Sequence, residues 1–225
     1  MAADKLHLAV IAITEHIGQA GDRTRIGAIR SELSKHPHVC RVLVGGEIDV
    51  DRNYLDGRLV VEQRDNLDYV IGAIHYLPGT DILPHCKRAR PLPPDEVFSR
   101  WRTTLLGLAA STTIDTIAHP GVMIANSIDD EGFPERVLEV LHAAALISAE
   151  HGVAWELNNL TGAKLPPAFR REYYKVIQSA VDAGVRLVYG SDAHRPADVG
   201  NHSFVEEVNA RLAGKPDIGT PPARA

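Results

Sequence analysis

Cysteine is scarce in this sequence: Cys40 and Cys86 are the two in 225 residues. They form neither a zinc-type pair nor a disulfide framework, which sets aside disulfide-stapled folds and cysteine-rich zinc modules. Long apolar runs are missing as well. The longest, such as residues 8–13, are far too short to span a bilayer. Asp4 and Lys5 precede an apolar stretch with no small-residue cleavage site, so no signal peptide is read. These absences predict a cytoplasmic protein with no membrane partner. Positive charge is not in excess either. Lys and Arg total 24 against 29 Asp and Glu, a net charge of -5, which lends no support to a nucleic-acid partner.

Nucleotide-cradling loops are absent: no G-x-G-x-x-G or Walker-type sequence follows any apolar run. There is no Pro/Gly/Ser-rich linker and no internal repeat. With 225 residues the chain suits one substantial domain, read here as residues 1–214. The remainder, 215–225, holds three prolines and is expected to be a flexible tail. The hydrophobic share of 44% and charged share of 24% are those of an ordinary globular chain.

What is present is a regular alternation. Short apolar runs rich in Val and Ile occupy residues 8–13, 39–44, 69–74, 114–118, 153–157 and 185–189. They are mostly continuous rather than alternating, which suits parallel strands buried on both faces. Helical patterns fill the gaps at 24–35, 94–111, 134–151 and 167–183. Two of these open on Pro followed closely by acidic residues. Gly152 is placed as a C-cap. Ser203 with Glu206 reads as a capping box for a last helix ending at Gly214. Strand–helix repetition of this kind predicts an α/β fold, either doubly wound or a (β/α) barrel.

Histidine is plentiful, at 11 residues, and its placement matters more than its number. The first run is followed by Thr14-Glu15-His16, and the second by Gly45-Gly46-Glu47-Ile48-Asp49. The third ends on His75 and the fourth on His119-Pro120-Gly121. The last leads into Gly190-Ser191-Asp192-Ala193-His194. Five strand ends thus carry a potential metal ligand. In a parallel barrel all such ends meet on one rim. Four imidazoles and two carboxylates suit Zn, Mn or Fe, and neighbouring ions bridged by carboxylates suit phosphoester cleavage.

These motifs resemble those of the polymerase-and-histidinol-phosphatase (PHP) family. Gly190 to His194 resembles its last metal motif, and Thr14-Glu15-His16 its T-D-H motif with Glu15 in place of Asp. Gly46-Glu47, residues 68–75, Ala118-His119-Pro120 and Glu156-Leu157-Asn158 match further signatures in family order, over about residues 5 to 213. The stretch 46–59 is similar to the form found in X-family polymerase PHP domains and their stand-alone relatives. The resemblance implies a distorted (β/α)7 barrel with up to three divalent transition-metal ions. It implies His16, Glu47, His75, His119, Asp192 and His194 as metal ligands, with Glu47 and Asp192 at the catalytic centre. It further implies a stand-alone phosphoesterase that hydrolyses a small phosphomonoester, histidinol-phosphate-like, or a nucleotide, by metal-activated water.

One departure stands out. The family's opening strand, with D-x-H-x-H and a further histidine, has no counterpart, because Asp4 and His7 lack the spacing. The first strand and three histidine ligands are therefore expected to be missing. On the family's division of ligands, Glu47, His75 and His119 remain the complete set. Truncation is the favoured explanation. The alternative is a degenerate, non-catalytic PHP-type module that binds a metal or ligand.

Four cations are candidates for substrate phosphate. Arg195 follows the last ligand directly, and Lys87, Arg88 and Arg90 lie in the irregular stretch after His75. Glu156, Asn158 and Asn159 either orient ligands or form a strand-end hydrogen-bond network. An oligomer is compatible with the sequence.

Overall fold

A computed structural model describes residues 2–80, 92–128 and 131–219. Six strands run through it: β1 (Val10–Ile17), β2 (Arg41–Asp49), β3 (Tyr69–Ala73), β4 (Thr116–Ile117), β5 (Ala154–Asn158) and β6 (Leu187–Gly190). Among the described residues the helices are α1 (Ala2–Lys5), α2 (Thr24–Leu33), α3 (Pro94–Ala109), α4 (Val122–Ser127), α5 (Glu135–His151), α6 (Asn159–Ala163), α7 (Pro167–Asp182) and α8 (Ser203–Asn209).

All strand pairs are parallel and their spatial order is the sequence order, β1 to β6. That order decides between the two architectures left open by the sequence. A doubly wound sheet reverses its strand order at a switch point. Here the order never reverses, and the sheet curls into a half-barrel with helices outside. No helix among the described residues is long and apolar enough to cross a membrane.

The period of two in a strand sorts its side chains between the faces. On β2, Val44 and Ile48 join the large cluster under the helices, which also holds Trp101, Leu141, Trp155 and Val176. Leu43 points the other way, into a small concave cluster with Tyr69, Ile71, Ala73 and Ala118. Curling gives the second face of the sheet something to pack against. Each large apolar side chain buried in either cluster contributes about 1.5–3 kcal/mol. β3 and β5 are buried throughout, whereas β1, at an edge, is half-exposed along most of its length.

Several local expectations are met. The Pro-led helices form where the sequence places them, and Gly152 caps α5 with φ 68°. Two are corrected. Ser203 is the first residue of α8 rather than its cap, and the helix ends at Asn209, not Gly214. The orphan N–H of Phe204 is taken by Asn159 Oδ1 at 2.9 Å, so a tertiary partner replaces the local box. The tail, expected to be loose, is tied down in its first part. Leu187 N–H donates to Asp217 O (2.7 Å) and Gly219 N–H donates to Leu187 O (3.0 Å), pairing Ile218 alongside β6.

At the base of the sheet, Asp115 is fully buried and grips three donors. Arg64 meets it through both terminal nitrogens (3.0 and 2.7 Å), and Val70 N–H donates to Oδ2 at 2.8 Å. This carboxylate joins the loop before β3 to β3 and β4. Asp115→Ala would leave Arg64 without this partner and a buried N–H unsatisfied. The expected loss is about 3 kcal/mol in denaturant unfolding. A loss below about 1 kcal/mol would show the contact to be ornamental.

Candidate metal centre

The concave face changes character along its strands. On β2 the inward positions run Leu43, Gly45, Glu47, Asp49, apolar at the base and acidic at the C-terminal end. By the same parity, His16 on β1 and His75 just after β3 stand on this face, above the apolar floor. Glu15 points the opposite way and pairs with Arg25 of α2, so the Asp-to-Glu departure in the Thr-Glu-His motif does not touch the site.

At the rim the expected ligands come together. His75 Nε2 lies 3.1 Å from Glu47 Oε1, His119 Nε2 lies 3.4 Å from the same oxygen, and the two nitrogens are 3.3 Å apart. Protein ligands about 2.0–2.1 Å from a tetrahedral ion stand about 3.3 Å from one another. The triangle Glu47–His75–His119 therefore has the edge length of a metal site. A second grouping shares two of its members: ligand atoms of His16, Glu47 and His75 all lie within 4.8 Å of one another. The ring centroid of His16 is 5.5 Å from that of His75 and 6.2 Å from that of His194. Asp192 is near enough to Glu47 and His119 for both charges to act on its carboxyl. Thus all six expected ligands share one rim, with Glu47 and His75 at the centre and His16 and His194 on the exposed side.

Two of the six sit in a backbone region that side chains avoid. His119 has φ 29° and Asp192 φ 53°, two of four non-glycine residues with positive φ among those described. Glu156 holds the first in place. Its Oε2 accepts from the His119 backbone N–H (3.0 Å) and from Asn158 Nδ2 (3.2 Å). Gly190 makes room for this carboxylate, since a Cβ there would fall 1.9 Å from Glu156 Oε1. Asn158 Oδ1 also caps α6 through Thr161 N–H, and Asn159 serves α8. Of the three residues suggested as ligand-orienting, Glu156 holds the His119 backbone directly and Asn159 belongs to the fold.

Asp49 carries no role in the sequence reading. Its Oδ1 accepts from His75 Nδ1 at 2.7 Å. The signal was available: Asp49 stands two residues beyond Glu47, on the same face of the same strand.

The electrostatics follow from packing acids and imidazoles together with little water. Burial pushes Glu47 up, but hydrogen bonds from His119 and His75 outweigh it and hold the carboxyl well below the usual range. Burial pulls His75 down, yet Asp49 and Glu47 push it up to about 10. Glu156 rises to about 7 through burial, with the Glu47 charge adding to it. Asp192 is raised for the same two reasons.

Arg195 is exposed and begins the turn Pro196–Asp198 beside the last ligand. Lys87, Arg88 and Arg90 lie outside the described residues, so the structure does not bear on them.

No protein-family model matches the chain. Its sequence relatives are named as phosphatases. It is 25% identical over 168 residues to a "probable phosphatase" of Aeromonas salmonicida, covering 72% of this chain and 58% of that protein. To a "probable histidinol-phosphatase" of Deinococcus radiodurans it is 29% identical over 135 residues, covering 59% and 50%. To a "probable phosphatase" of Edwardsiella ictaluri it is 37% identical over 122 residues, covering 52% and 44%. The chain spans about half the length of these relatives. Among solved structures, the histidinol phosphate phosphatase of Lactococcus lactis, captured with zinc, L-histidinol and phosphate, shares the fold. The TM-score is 0.61 at 15% identity, with 92% of this chain and 84% of that one covered. An archaeal ribonuclease P bound to mature tRNA contains a chain of similar fold, with TM-score 0.55, 13% identity and coverage of 92% and 75%.

Protons and any metal bound among these side chains would compete. To ligate a metal, the His75 imidazole between Asp49 and Glu47 would have to give up a proton. Zinc binding is expected to release at least one proton and to tighten by about tenfold per pH unit for each proton released. Titration calorimetry in buffers of different ionisation heat reads this directly. Binding without proton release would contradict the assigned ligands.

Proposed function

We propose that this chain is a PHP-type, metal-dependent phosphoesterase unit acting on a small phosphomonoester, histidinol-phosphate-like, or on a nucleotide. The observation that carries the reading is the Glu47–His75–His119 triangle, with edges of 3.1, 3.4 and 3.3 Å at the C-terminal ends of parallel strands. Supporting it are the phosphatase names of the sequence relatives and the zinc, histidinol and phosphate held by the Lactococcus enzyme of like fold.

Glu47, His75 and His119 would hold one divalent ion, Zn, Mn or Fe, with His16, Asp192 and His194 as ligands toward neighbouring positions. Such an ion lowers the pKa of water and offsets charge on phosphoryl oxygens. The chain's own groups set up the rest. Glu47 is central to both ligand groupings and is kept ionised by two imidazoles. Asp192, just after β6, is the second catalytic carboxylate. Arg195 offers a planar donor fork to a phosphate arriving from the open side. The reaction is assigned to the cytoplasm with no membrane partner, and the net charge of -5 lends no support to a nucleic-acid one.

The test is hydrolysis of p-nitrophenyl phosphate and histidinol phosphate after chelation and reloading with Zn or Mn. Activity should require metal, and His75→Ala or Asp192→Ala should lower it by roughly 100-fold or more. Equal activity in both variants would sink the assignment. Tight binding of at most one ion per chain with no turnover would favour the non-catalytic binding module instead.

A further inference from the structure

We infer that Asp49 is a positioning residue for the metal centre: it locks the His75 imidazole so that Nε2, not Nδ1, is the ligand atom. The inference rests on the metal-site reading above and adds a residue that reading does not use.

The geometry is specific. Asp49 is 4% exposed, and its Oδ1 accepts the Nδ1–H of His75 at 2.7 Å. That leaves Nε2 aimed at Glu47 Oε1 (3.1 Å) and His119 Nε2 (3.3 Å). The carboxylate is itself fixed. Gln19 Nε2 donates to Asp49 Oδ2 at 3.4 Å and to Val50 O at 2.8 Å, while Gln19 Oε1 accepts from Arg52 N–H at 3.1 Å. His75, Asp49 and Gln19 thus form a chain from the site to the backbone after β2.

A buried carboxylate would ordinarily be costly unless it secured something. Among the described residues the Asp49 side chain meets His75 and Gln19, and unlike Asp115 it grips no arginine. Glu47 and Asp49 flank His75 on one face of one strand, one at each ring nitrogen. This is the arrangement in which a carboxylate behind a ligand histidine fixes its tautomer and raises its basicity.

Cobalt(II) and zinc binding by the full chain tests it, with affinity read against a chelator and ligand geometry read from the cobalt absorption bands. Asp49→Ala should weaken binding 10- to 100-fold and shift the bands. Asp49→Asn, which keeps an acceptor oxygen, should lose less than about 10-fold. In the zinc-loaded protein, long-range proton–nitrogen spectra should place the proton of His75 on Nδ1, and this should be lost in Asp49→Ala. Asp115→Asn, remote from the rim, controls for general loosening and should leave affinity unchanged. If the parent chain binds cobalt through His75 but both Asp49 variants match it in affinity and spectrum, the inference is overturned while the metal site stands. If the parent binds no cobalt and His75→Ala changes nothing, the metal reading fails and this inference falls with it.

Discussion

A curled parallel sheet has one face that water cannot easily reach, and the alternation of side chains decides what that face may hold. In this chain the even positions of β1 and the odd positions of β2 and β3 turn inward. Low on the strands they are Leu43, Tyr69 and Ile71, which close the concavity. Higher up they become His16, Glu47, Asp49 and His75. A slip of one residue in any strand would exchange the two faces. The site therefore depends on register before it depends on chemistry. Register in turn is held by the Val and Ile positions that face the helices.

Charge at the rim follows from the same geometry. Carboxylates and imidazoles from different strands are brought within 3.1–3.4 Å in a place with little solvent. Each charge favours the other, so His75 is raised and Glu47 is lowered from its ordinary value. Left-handed backbone at His119 and Asp192 adds local strain, and Glu156, fitted against the bare Cα of Gly190, helps to hold it. Such concentrations of strain and buried charge cost stability and persist where the surrounding structure fixes them.

Much of this was legible in the residues. Runs of Val and Ile marked all six strands, and Pro-led acidic starts marked the long helices. The first two strands end later than their apolar runs, because polar residues such as His16 and Glu47 do not look like strand residues although their backbone continues the ladder to Ile17 and Asp49. The Ser203 cap failed for a tertiary reason, since Asn159 from another strand end reaches Phe204 first. Doubly wound and barrel topologies share one local pattern, so only the pairing order could separate them. The six residues that meet at the rim were legible because each follows an apolar run. Asp49 was less legible, because its role comes from the His75 ring brought to it by the neighbouring strand and not from its own place after an apolar run.

A divalent ion seated among Glu47, His75 and His119 is the central claim. Anomalous X-ray scattering at the zinc edge, from crystals of the zinc-loaded protein, tests it most directly. An anomalous peak is expected about 2.0–2.2 Å from Glu47 Oε1, His75 Nε2 and His119 Nε2. Zinc bound only at other residues, with these three still hydrogen-bonded to one another, would contradict it.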